Sequence, residues 1–192
     1  NYENDWDTEF FATLYPNLNE LHSSVPTQAA RGNHEGAAVL YRKYLPYPFV
    51  TSTAWSFDYG PAHFVVIDQY IPYYPGSTQH DWLVSDLESS DRPWKFILLH
   101  EPGWSSGGGH SNELAVQQYI QPLCLDYGVQ IVFGGHNHYY ARAIVDGVQH
   151  ITTGGGGAPL RTPDSGYPYI VTAVEAFHFC KLAIEDDSLE FK

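Results

Sequence analysis

The side chains best suited to chemistry in this chain are histidines that follow apolar runs. Ile131-Val132-Phe133-Gly134-Gly135 stops at two glycines, and His136-Asn137-His138 follows at once. Such a run reads as a buried strand ending in a sharp turn, which leaves both histidines on the loop beyond it. Trp94-Lys95-Phe96-Ile97-Leu98-Leu99 is a second apolar strand, and it ends in His100. A third polar loop, Arg31-Gly32-Asn33-His34-Glu35-Gly36, follows Val25-Pro26-Thr27-Gln28-Ala29, which reads as a short strand. Ligands of open α/β sheets collect beyond the carboxyl ends of the parallel strands, so Asn33-His34, His100 and His136-x-His138 are expected at one rim. Imidazole nitrogens with an amide oxygen suit zinc, iron or manganese, whereas a calcium cage would use several carboxylates.

The elements between these loops must bring them together. Residues 5–24 read as helical, capped by Asp5 or Asp7 and interrupted at Pro16. A strand near Ala54-Trp55-Ser56-Phe57-Asp58, a turn at Tyr59-Gly60-Pro61 and a strand from His63 to Asp68 make a hairpin. Ser77 or Thr78 caps a helix carrying Trp82, Leu83 and Leu87, with Asp81 in capping-box spacing. A helix over residues 112–127 joins the strand ending in His100 to the one ending in Gly134-Gly135, a strand–helix–strand order that predicts a parallel crossover. A hairpin turning at Asp146-Gly147, a glycine connector over residues 154–157, and strands over 169–174 and 177–184 that complete a second sheet finish the α/β pattern. No repeat, charge block or linker divides the 192 residues, so one domain over 1–192 is expected, incomplete at both ends.

Composition narrows the function. A chain that is 43% hydrophobic and 16% aromatic can bury a substantial core. With 22 acidic against 9 basic residues its formal charge is -13, which argues against general nucleic-acid or anionic-membrane binding, although a metal could supply local charge for a small anion. No apolar run is long enough to span a bilayer. Few lysines and many Tyr, Trp and Gly residues suit a secreted or periplasmic protein. Cys124 and Cys180 have no metal spacing and read as buried free thiols rather than a bridge. His22, His63, His80, His150 and His178 have no partner motif and are expected on surfaces or in hydrogen-bonded niches. Arg142 reads as structural.

Taken in order, Gly32-Asn33-His34-Glu35, the strand ending in His100 and Gly135-His136-Asn137-His138 resemble the last three motifs of the calcineurin-like metallophosphoesterases. The purple acid phosphatase branch is the best match, because His138-Tyr139-Tyr140-Ala141-Arg142 resembles its His-x-Tyr-Glu-Arg with Ala141 in place of glutamate. Trp6-Asp7-Thr8 and His110 point the same way. The resemblance implies an α/β/β/α sandwich of two mixed sheets flanked by helices, and a dinuclear centre of iron, zinc or manganese. It makes Asn33, His100 and His136 ligands of one ion and His138 a ligand of the other. His34 would orient or protonate the phosphate, and His110 would bind the phosphoryl group or protonate the leaving alkoxide. Metal-bound hydroxide would attack phosphorus in a phosphorylated small-molecule or protein substrate. The family's Asp-x-His and Gly-Asp motifs do not occur before Asn33; Tyr2 could be the tyrosine ligand that follows the second. The implied activity is phosphomonoester hydrolysis, with a phosphodiesterase, a nucleotide hydrolase, or a metal-free binding or assembly module as alternatives.

Overall fold

The structure, a computed structural model, describes residues 23–185 and 188–192. The expected first helix, apart from its last two residues, and Tyr2, Trp6, Asp7, Thr8 and His22 lie outside these. Seven strands form one mixed sheet in the order β1-β2-β3-β4-β6-β5-β7. They are β1 (Trp55–Tyr59), β2 (Ala62–Val66), β3 (Trp94–Leu98), β4 (Ile131–Gly134), β5 (Tyr140–Val145), β6 (Val148–Thr153) and β7 (Ile170–Val174). β2, β3, β4 and β6 run parallel to their neighbours in that order, while β1 and β5 are antiparallel to β2 and β6. The carboxyl ends of the four parallel strands therefore open on one edge.

Period-two alternation decides which residues face which layer. On one face Val65, Ile97 and Val132 meet helix α2 (Thr78–Ser89) through Leu83 and Leu87, and helix α3 (Gln121–Tyr127) through Leu123 and Cys124. On the other, Phe96, Ile131 and Ile151 meet Leu182, Ile184, Leu189 and Phe191 of a two-stranded sheet, β8 (Leu182–Glu185) with β9 (Ser188–Phe191). Each fully buried aliphatic side chain contributes about 1.5–3 kcal/mol, which makes these two faces the main attachment of the layers. Helix α1 (Val39–Tyr44) packs separately, Tyr41 lying among Tyr47, Phe49 and Leu45.

Both predicted hairpins form. At the second, Asp146 and Gly147 take φ 50° and 89°, as a two-residue turn between twisted strands requires. Ser77 caps α2, its hydroxyl accepting from His80 N at 3.4 Å, and the crossover from β3 to β4 is parallel as expected. Four expectations are corrected. Residues 25–29 form no strand, since Pro26 removes a donor and the chain is held by side chains instead. The crossover helix starts at Leu114, with a π turn over Val116–Ile120 just before Pro122, whose ring nitrogen has no proton to donate. β7 joins the main sheet beside β5 rather than a second sheet. Residues 175–181, Cys180 included, are not strand; both cysteines are free, Cys180 half-buried.

Candidate metal centre

Beyond β3 and β4 the chain places His100 and His136 with their rings edge to face, centroids 4.8 Å apart. His100 Nε2 lies 2.8 Å from Asn33 Oδ1 and 3.1 Å from His136 Nδ1. Donors held at about 2.1 Å from one ion and 90° apart are about 3.0 Å from each other, so this spacing fits a shared metal. Among the described residues no three His, Cys, Asp or Glu side chains form such a group, and the third polar atom beside the two imidazoles is the amide oxygen of Asn33. Burial, with the neighbouring histidines adding to it, pushes the His100 and His136 pKa values down to about 4, which keeps both rings neutral and able to ligate at pH 7. His138 faces the same cleft. Its Nδ1 donates to Pro159 O at 2.8 Å, a contact that fixes the orientation of the ring.

The local backbone explains how these donors converge. His136 takes φ 60°, a left-handed conformation that costs a residue with a Cβ about 1–2 kcal/mol and turns the ring back toward His100. Gly32 lies under His100, where a Cβ would come within 2.8 Å of the imidazole. The loop after Gly32 is a single 3-10 turn, Asn33–Glu35, with Glu35 Oε2 accepting from Gly32 N at 2.6 Å. Arg31 anchors that loop from below: its guanidinium donates to Asp68 at 2.9 and 3.1 Å and to Gly36 O. Burial alone would raise the Asp68 pKa, but hydroxyl, backbone and Arg31 contacts hold it below the usual carboxylate range.

Asn33, His34, His100, His110, His136 and His138 line one open cleft of about 540 Å³ together with Thr153, Gly154, Gly156, Gly157, Ala158 and Arg161. His110 stacks on His136 with centroids 3.7 Å apart. Burial, then the charge of Arg161, holds the His110 pKa below the usual histidine value. Sequence reasoning missed three carboxamides that hold this rim. Gln79 Oε1 accepts from Asp68 N at 2.7 Å while its Nε2 donates to Asp68 O at 2.9 Å. Gln69 Oε1 accepts from His100 N and Glu101 N, and its Nε2 donates to Glu101 O. Asn137, fully buried between the two histidines of its motif, accepts from His110 N at 2.7 Å and donates to His110 O at 3.2 Å and Ser105 Oγ at 2.9 Å. Their only sequence signal is adjacency to a strand end or a histidine.

Of the other histidines, His63 bridges Asp58 and Asp86 at 2.8 and 2.9 Å, and His178 sits between Thr153 and Ala176. His150 is buried against Trp104, with Nε2 on Gln121.

Residues 2–140 match the calcineurin-like phosphoesterase family model. Purple acid phosphatase 23 of Arabidopsis thaliana is 33% identical over 141 residues, which cover 65% of this chain and 31% of that protein. Purple acid phosphatase 18 of the same plant is 31% identical over 180 residues, 81% of this chain and 40% of the relative. This chain thus spans about a third of the length of the curated relatives it matches. Among solved structures, purple acid phosphatase PPD1 from yellow lupin (Lupinus luteus) seeds superposes with a TM-score of 0.65 at 26% identity, over 76% of this chain and 31% of that one. GAP50 of Plasmodium shares the fold, with a TM-score of 0.60 at 19% identity over 73% of this chain and 49% of its own. The chain therefore belongs to the calcineurin-like phosphoesterase family, in its purple acid phosphatase branch.

Proposed function

We propose that this chain is part of a metal-dependent hydrolase of phosphomonoesters with a dinuclear centre of iron, zinc or manganese, acting outside the cytoplasm. The observation that carries the reading is the convergence of Asn33 Oδ1, His100 Nε2 and His136 Nδ1 at 2.8 and 3.1 Å, with His34, His110 and His138 in the same cleft. Asn33, His100 and His136 would hold one ion and His138 the other. When bound, the ions would supply Lewis-acid charge on the phosphoryl oxygens and a nucleophile at ordinary pH. The chain's own groups do the rest. His34 projects from its 3-10 turn into the cleft and orients the phosphate. His110, fixed by Asn137 at both its N–H and its carbonyl, presents its ring beside His136 and protonates the leaving alkoxide. Its lowered pKa confines the protonated form to acidic solution, so turnover that uses this proton is favoured there. Tight positioning of these groups is what the carboxamide clamps provide.

The test uses the full-length protein, with metal content by elemental analysis and turnover of p-nitrophenyl phosphate against bis(p-nitrophenyl) phosphate. His100→Ala and Asn33→Ala are expected to lower both metal content and monoester turnover. Unchanged values for both would sink the assignment. Preference for the diester would make it a phosphodiesterase, and an intact protein without metal or turnover would make it a binding module.

A further inference from the structure

We propose that Arg161 is a specificity-determining residue, its guanidinium receiving a second anionic group, phosphate or carboxylate, that lies beyond the ester oxygen of the substrate. This rests on the phosphomonoesterase reading above. Arg161 is the one Lys or Arg side chain among the residues that line the cleft of the histidines. In a chain with 22 acidic and 9 basic residues, its guanidinium has no hydrogen-bonded or ion-paired partner among the described residues, whereas Arg31 and Arg92 are paired with Asp68 and Asp58. A cation left unpaired in so acidic a protein is available to an anion that enters the cleft.

Its placement is fixed from both sides. Arg161 N donates to His138 O at 3.1 Å, and Pro159 O accepts from His138 Nδ1, so the backbone at residues 159–161 is tied to the histidine motif. The side chain then passes over Gly109, where a Cβ would come within 2.7 Å of Arg161 Cδ, and this brings it beside His110. Gly154, Gly156 and Gly157 line the same cleft and put no side chain into it. His110 is the group that the proposed function puts at the leaving oxygen, and Arg161 Cδ lies against Gly109, the residue before it, so the guanidinium is on the leaving-group side of the cleft. A planar fork of donors is suited to a carboxylate or a second phosphate at that place.

The experiment compares the full-length wild-type protein with Arg161→Gln and Arg161→Lys. Two pairs separate the anion sources: ADP against AMP for phosphate, and 2-carboxyphenyl phosphate against phenyl phosphate for carboxylate. In Arg161→Gln the ratio of kcat/KM within at least one pair is expected to fall about 10-fold or more, the loss of a charge-assisted contact. The lysine variant should recover part of it. An equal loss for both members of each pair would assign Arg161 to the reacting phosphoryl group and overturn the proposal, as would unchanged ratios. Calorimetric binding of phosphonoacetate against methylphosphonate supplies a readout that needs no turnover. Preference for phosphonoacetate that disappears in Arg161→Gln supports the site even if the monoesterase reading fails, and no preference in the wild type refutes it.

Discussion

Replacing Asn137 by alanine should loosen His110 while leaving the metal donors in place. The Asn137 side chain is fully buried and makes three hydrogen bonds, to His110 N, His110 O and Ser105 Oγ. At about 1 kcal/mol net for each, the substitution removes about 3 kcal/mol from the attachment of this loop. The preceding residues keep their own anchors: Ser106 N and Gly107 O on Tyr139, and Gly108 N on Asp164. Asn112 likewise stays tied to Ser105 N and Oγ, so the loss falls on residues 109–111, and about 3 kcal/mol corresponds to roughly a 100-fold rise in the open population of that stretch. Hydrogen exchange at the His110 amide should accelerate by about that factor, kcat for p-nitrophenyl phosphate should fall by about 10-fold or more, and metal content should not change. Protection of the His110 amide equal to that of the wild type, together with an unchanged kcat, would refute the clamp. Loss of metal in step with kcat would show instead that Asn137 acts by folding the His136–His138 loop.

Gly32→Ala places a Cβ 2.8 Å from the His100 ring, so metal affinity measured by competition with a chelator should drop about 10-fold while the melting temperature moves little. Arg31→Met leaves buried Asp68 without its cation and should cost about 3 kcal/mol in urea unfolding, with the double variant Arg31→Met/Asp68→Leu recovering much of it. Burial pushes the His150 pKa down to about 3, below its unfolded value of about 6.5, so the unfolded chain binds the extra proton and stability is lost as pH falls below about 6.5. That loss should be about 2 kcal/mol at pH 5 and smaller in His150→Gln; equal pH dependence of the two proteins would reject it. His63 has the opposite sign: burial disfavours its charge, but Asp86 and Asp58 outweigh this and raise its pKa. Its contribution is thus present below about pH 6.5 and lost as pH rises through the folded value, a dependence Asp86→Asn should weaken.

What this sequence determined by itself is the set of donors and the elements that carry them. Apolar runs of strand length ending in His100 or in Gly134-Gly135 carry both signals locally, since burial selects the apolar side chains and the turn selects glycine. The motifs Gly-Asn-His-Glu and His-x-His identified the family on the same local evidence. What only the tertiary structure decided is how the donors are held. Arg31 finds Asp68 across 37 residues, and Asn137 finds His110 across 27. Gln69 and Gln79 carry no local sign of their role beyond a neighbouring strand end or histidine, because a carboxamide serves a surface as well as a buried clamp until its partners are known. The late strands show the same limit: β7 has a pattern that fits either sheet, and its place beside β5 follows from which edge the folded sheet left open. The orientation of Arg161 over Gly109 likewise exists only once the loops beyond β3 and β6 lie against each other, for a cleft is made by the meeting of distant segments.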